Sequence, residues 1–171
     1  MSTSGSWGGS SSFSGAGAPV VGQLFAQFKI IGLMGAGGMG AVFRAQDQGS
    51  GQEVALKVLR SKGTDGDLQI RFQREGEALG QLNHKNIVKV GTVGVHEGYM
   101  YFSMELLEGE SLKELLRSSY HDDGSPNLVE VVRIFKSLAL ALVFCHAEGV
   151  VHRDLKPENI LFRGSEPVLC D

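Results

Sequence analysis

Between Val150 and Asn159 the chain reads VVHRDLKPEN, and this run constrains the fold more than anything else in the sequence. Pro157 fixes one backbone angle, lacks an N–H and biases Lys156 away from helical geometry, so no helix can pass through Asp154 and Lys156. The segment has to be a shaped loop. Within it Asp154 can accept a proton, Lys156 can neutralise an anionic oxygen and Asn159 can offer a carbonyl oxygen to a hard cation. A charged surface turn is the ordinary alternative, but this order of residues rarely arises by chance.

Composition narrows the classes around that loop. With 171 residues, 42% hydrophobic and 20% charged, the chain can bury a sizeable core and reads as globular. A net charge of −3 argues against a nucleic-acid partner, because phosphate backbones are bound by clustered Lys and Arg. Cys145 and Cys170 lack metal-ligand spacing and sit among apolar residues, which suits a reducing interior and no disulfide. No apolar run is long enough to cross a bilayer and the N-terminus lacks the layout of a signal peptide, so the expected location is cytoplasmic with no membrane segment. Residues 1–19, rich in Ser and Gly, bury too little to offset their ordering entropy, and a flexible leader over 1–27 is expected.

From Phe28 the pattern turns strand-like. Met34-Gly-Ala-Gly-Gly-Met-Gly-Ala-Val42 places Gly35, Gly37 and Gly40 in a GxGxxGxV spacing, where backbone without Cβ atoms can approach phosphate oxygens. A dinucleotide-binding fold would need a helix next. Ala41–Ala45 is instead strand-like and a turn at Gln48–Gln52 leads into another strand, so the glycines cap a β-hairpin. Alternation from Glu53 to Leu59 puts Ala55 and Lys57 on one face and Val54, Leu56 and Val58 on the other. An ammonium beside an Ala-sized gap suits a flat base and its phosphates.

A helix is expected from about Leu68 to Leu82, with Asp67 as its N-cap and Phe72, Leu79 and Leu82 as its apolar stripe. Glu75 falls on that stripe, where a buried carboxylate needs a partner, and Lys57 is the natural one. Gly76 costs on the order of 1 kcal/mol in mid-helix with no reason visible in the sequence. His84 reads as a structural hydrogen-bonding residue. Strands near Val88–Val95 and Tyr99–Met104 complete the sheet. Ser111 and Glu114 have capping-box spacing, and Asn127 with Glu130 opens a longer helix by the same logic. Leu128, Val131, Phe135, Leu138 and Leu142 mark its expected inward face, up to a stop at Gly149. Ile160–Phe162 and Val168–Cys170 form a hairpin whose outer ends meet, so Asn159 and Asp171 become neighbours and a hard-cation site.

In order and spacing, the Gly-rich hairpin, Lys57, Glu75, HRDLKPEN and Asp171 resemble the serine/threonine protein kinases of the eukaryotic type over residues 28–171. Lys156 with Pro157-Glu158-Asn159 is similar to Ser/Thr rather than tyrosine kinases, and Met39 among glycines is similar to bacterial members. The resemblance implies an α+β, bilobal fold: an N-lobe over 28–104 with an antiparallel sheet and one helix, a hinge at 105–108, and the first part of a helical C-lobe over 109–171. It implies ATP and Mg2+ as cofactors and protein hydroxyls as acceptors. Asp154 then orients the acceptor, Lys156 steadies the moving phosphoryl group, and Lys57, paired with Glu75, holds the α/β-phosphates. Gly35, Gly37 and Gly40 cover the phosphates. Val42, Ala55, Met104 and Leu161 surround the purine, backbone groups around Glu105 and Leu107 bond its edge, and Asn159 and Asp171 take magnesium.

Lys85 departs from the family, which often has proline there, and the motif begun by Asp171 cannot be read further. Because kinases continue past this aspartate, the 171-residue chain alone is expected to be inactive. A pseudokinase or ATP-binding scaffold, a small-molecule phosphotransferase and a non-enzymatic interaction fragment remain the alternatives. An Asp154→Asn variant with unchanged phosphorylation, acceptor screening and failure to bind Mg-ATP are the respective tests.

Overall fold

The computed structural model describes residues 17–37, 40–62, 66–121 and 127–170. The chain is α+β and divides into two compact units: the described residues of Met1–Glu77 with Val90–Leu106, and Ala78–Lys89 with the described residues of Leu107–Asp171.

In the first unit, β1 (Leu24–Phe25), β2 (Phe28–Ala36), β3 (Gly40–Asp47), β4 (Glu53–Lys62), β5 (Val90–His96) and β6 (Tyr99–Glu105) form one antiparallel sheet. The order across it is β1-β2-β3-β4-β6-β5. One face packs into a core of Phe28, Ile30, Phe43, Ala45, Leu56, Val58 and Tyr101, as the alternation from Glu53 requires. The β3–β4 turn is tied by Asp47, whose carboxylate accepts from the Gly49 N–H and from Gln27. The sheet starts earlier than expected: Leu24 and Phe25 pair with Lys29 and Phe28, and Phe25 is buried, so the last part of the presumed 1–27 leader belongs to the core. An aromatic side chain there supplies the apolar area that the preceding Ser/Gly tract lacks.

Helix α1 (Gly66–Gln81) begins before Asp67, which therefore lies in its first turn and is not its cap. Gly76 now has a reason: a Cβ there would meet the Val93 methyls of β5 at 2.6 and 2.8 Å, so only glycine lets this helix and strand close.

The second unit holds α2 (Leu112–His121), α3 (Leu128–Ala147) and the two-stranded hairpin of β7 (Ile160–Arg163) and β8 (Glu166–Leu169). At the start of α2 the capping box is complete, with the Ser111 N–H donating to the Glu114 carboxylate at 2.8 Å and the Glu114 N–H to Ser111 Oγ at 3.2 Å. At α3 only half of it forms. Asn127 Oδ1 accepts from the Val129 N–H, while Glu130 turns to Arg133.

Gly149, at φ 75, follows the end of α3 in the left-handed geometry expected of a stop. The inward face of α3 differs from expectation: Ile134, Leu138, Ala141 and Cys145 are buried, whereas Leu128 is 74% and Phe135 66% exposed. The helix is apolar almost all round, so periodicity finds its existence but not the side that meets the hairpin.

Candidate active site

Two residues of the VVHRDLKPEN loop converge on the carboxylate of a third. Lys156 Nζ donates to Asp154 Oδ2 at 2.6 Å; Asn159 Nδ2 donates to the same oxygen at 3.0 Å and to the Asp154 carbonyl at 2.9 Å. The backbone that allows this is unusual. Arg153 lies at φ 62, at the centre of a three-residue turn that the Asp154 N–H closes on the His152 carbonyl at 2.8 Å. A left-handed non-glycine residue costs about 1–3 kcal/mol and persists only where its surroundings over-determine it. Pro157 then opens a single 3-10 turn, Pro157–Asn159, which swings the Asn159 amide back towards Asp154.

Electrostatics follow from these contacts. The hydrogen bond from the Lys156 ammonium is the main reason that the Asp154 carboxyl titrates below its ordinary value; slight desolvation opposes the shift and the Asn159 amide adds to it. Asp154 is therefore a carboxylate at neutral pH, and a weak base. Such a group suits aligning a hydroxyl and receiving its proton late. Among the described residues Oδ2 takes both of these side-chain hydrogen bonds and Oδ1 takes none.

Because both Asn159 contacts are to oxygens, its NH2 faces Asp154 and its carbonyl oxygen faces elsewhere. The hairpin brings its outer ends together as expected, with the Cys170 N–H on the Asn159 carbonyl at 2.8 Å and Ile160 opposite Leu169. Asp171, the second expected metal donor, lies outside the described residues. Among those described, no group of three or more His, Cys, Asp or Glu side chains gathers to hold a metal. The Asn159 amide oxygen is the kind of hard donor that Mg2+ prefers. Leu161 alternates with the buried Ile160 and Phe162, and its side chain therefore points away from their core.

In the sheet unit, register positions the remaining candidates. Val42 lies opposite Lys57 and Lys57 opposite Phe102, while Ala55 lies opposite Met104. Val42, Ala55, Lys57 and Met104 thus share the face turned away from the main core. The Lys57 ammonium stands 5.6 Å from the Phe102 ring centre. Its expected partner, the Glu75 side chain, lies outside the described residues. Glu105 ends β6 opposite Val54, and Leu107, buried, belongs to the second unit.

The glycines do cap a β-hairpin. Gly35 lies opposite Val42, and the Gly37 N–H donates to the Gly40 carbonyl at 2.8 Å, with Gly38 and Met39 outside the described residues. A Cβ on Gly40 would come within 2.2 Å of the Val58 carbonyl oxygen, so that glycine is demanded by strand packing whatever else it serves. Gly37 has open space where a Cβ would be.

His84 has the structural role expected of it. Its Nδ1 accepts the Asn86 N–H, and its ring stacks on Phe144. Two contacts had no counterpart in the sequence reading. Lys113 of α2 pairs with Glu158 at 2.8 Å across 45 residues, a separation at which no local signal exists. Asn86 is buried against the hairpin, and its position before the apolar pair Ile87-Val88 was the available hint.

Comparison with known proteins agrees with this geometry. The model of the family described as protein kinase domain matches residues 28–171. A probable serine/threonine-protein kinase PknB of Lactococcus lactis is 38% identical over 86% of this chain and 23% of its own length. Serine/threonine-protein kinase PknF of Mycobacterium tuberculosis is 39% identical over 82% of this chain and 29% of its own. The crystal structure of the M. tuberculosis PknI kinase domain superposes with a TM-score of 0.78 at 29% identity, covering 90% of this chain and 61% of that one. The chain spans between a fifth and a third of the length of these curated relatives. On the strength of a match running from the start of β2 to the last residue, the chain belongs to the protein kinase domain family.

Proposed function

We propose that the protein of which this chain forms part is a serine/threonine protein kinase, moving the γ-phosphoryl group of Mg-ATP to a protein Ser or Thr hydroxyl. The observation that carries this is the meeting of Lys156 and Asn159 on one oxygen of Asp154. In the reaction the bond from the γ-phosphorus to the bridging oxygen of ADP breaks. A new bond forms to the acceptor oxygen, whose proton passes to Asp154.

Positioning and charge supply most of the rate in such a loose transition state. Lys156 neutralises the moving phosphoryl oxygens and Lys57 holds the α/β-phosphates, with Glu75 as its partner. Backbone N–H groups at Gly35, Gly37 and Gly40 cover the phosphates. Val42, Ala55, Met104 and Leu161 bound the purine, whose edge is met by backbone groups of Glu105 and Leu107. Asn159 and Asp171 would hold Mg2+, which when bound draws charge from the phosphate oxygens.

No helix among the described residues is long and apolar enough to cross a membrane. We assign this chemistry to the cytoplasm, consistent with Cys145 and Cys170 being buried free thiols, and to protein rather than nucleic-acid partners. The deciding experiment is phosphotransfer from labelled ATP by the full-length protein. Transfer to Ser or Thr that disappears in Asp154→Asn supports the reading, and transfer unchanged in that variant refutes it.

A further inference from the structure

Lys113 and Glu158 form an ion pair at 2.8 Å that the mechanism above does not use. Glu158 is the middle residue of the 3-10 turn Pro157–Asn159. The residues on either side of it, Lys156 just before the turn and Asn159 at its end, are the two that donate to Asp154 Oδ2. The turn is closed by the Asn159 N–H on the Lys156 carbonyl at 2.9 Å and by the Ile160 N–H on the Pro157 carbonyl. A helix this short holds itself weakly, because so few hydrogen bonds fix so many dihedral angles. A grip on its centre from outside therefore matters.

Lys113 reaches the turn from a fixed base. The segment entering α2 is laid along β7: the Phe162 N–H donates to the Glu110 carbonyl at 3.1 Å, Ser111 bridges Leu161, and a Cβ on Gly109 would collide with the Phe162 carbonyl. Lys113 itself stands between Leu112, which packs against the cluster holding Ile160 and Phe162, and Glu114, which closes the capping box with Ser111. The Glu158 carboxyl titrates below its ordinary value, first because of the hydrogen bond from Lys113, so the pair is charged at neutral pH.

We infer that Lys113 is a positioning residue for the loop: by holding Glu158 it steadies the turn from which Lys156 and Asn159 reach Asp154. This rests on the kinase reading for the rate that is affected, whereas the grip itself is measurable without turnover. The test uses the full-length protein with Lys113→Met, which keeps an apolar stem and drops the charge, Lys113→Arg, which keeps the charge, and Glu158→Gln, which cuts the pair from the other side. Amide hydrogen exchange at Asn159 and Ile160 is followed alongside steady-state phosphotransfer.

In Lys113→Met, exchange at those two amides is expected to quicken by about fivefold, with that of Phe162 unchanged. Its kcat should fall by about threefold to tenfold at constant KM for ATP, through loss of alignment at Asp154. The melting temperature should hold, since a half-exposed ion pair adds little to global stability. Lys113→Arg should recover both changes, Glu158→Gln should reproduce them, and Lys113→Met combined with Glu158→Gln should lose no more than either alone. Unchanged exchange at Asn159 and Ile160 in Lys113→Met overturns the inference, and so does a kcat loss in Lys113→Arg equal to that in Lys113→Met. Absence of phosphotransfer by the wild-type protein overturns the kinase reading instead, and the exchange measurements then decide by themselves whether Lys113 holds the turn.

Discussion

The sheet unit and the loop unit hold their functional side chains by different means. Lys57 stands where it does because β4 is laced on both sides to β3 and β6, and its direction is shared out over many backbone hydrogen bonds. Lys156 and Asn159 both lean on Asp154: remove that carboxylate and each of the other two loses a contact that orients it. A ladder tolerates a changed side chain without moving its neighbours, whereas a side-chain cluster is a single cooperative object. The units should therefore fail differently under mutation.

The largest effect is expected at the cluster. Asp154→Asn in the full-length protein should lower kcat by roughly 10²–10⁴-fold, the usual worth of a positioned base, with little change in KM for ATP. Adding Asn159→Ala to that variant should cost much less than Asn159→Ala does alone. Additive losses would show that the three residues act independently and would break the contrast.

Lys57→Met should cut kcat/KM for ATP by about 10²–10³-fold. Because the ladder holds, it should leave the melting temperature within a few degrees of wild type. A cooperative collapse of the sheet would reverse the assignment of roles. Gly40→Ala tests the ladder itself, since the clash with the Val58 carbonyl should destabilise the protein by about 1–3 kcal/mol in a denaturant titration.

Smaller still, Ser111→Ala removes a buried half of the α2 capping box and should cost about 1 kcal/mol by the same measurement. The smallest effect concerns pH. The Glu166 carboxyl is held below its ordinary value, first by the Asn86 amide and next by Lys85. A depressed acid contributes stability that is present above its unfolded value and lost as pH falls through the folded one. Thermal melts should thus decline below the ordinary glutamate value of 4.5, and Glu166→Gln should flatten that decline.

Legibility in the sequence follows the same division. The sheet could be read because a period of two assigns each strand residue to a face, and glycine spacing followed by a strand pattern marked the hairpin. The loop could be read because its chemistry is packed into ten consecutive residues. What escaped were facts of tertiary packing. Helix α3 carries apolar residues on every side, so nothing local distinguishes Ile134 and Ala141, which are buried, from Leu128 and Phe135, which are not. Gly76 looked like a defect until Val93 was seen against it. Asn86 and Lys113 find their partners far along the chain, where spacing carries no information.

The left-handed geometry of Arg153 gives the experimenter a way to separate shape from charge at one position. Glycine is at ease with that backbone angle, so Arg153→Gly strips away the guanidinium while sparing the bend. Valine strips the same charge and fights the bend as well. Whatever distinguishes those two proteins in assay is the worth of the curve in the chain, and whatever they share is the worth of the cation.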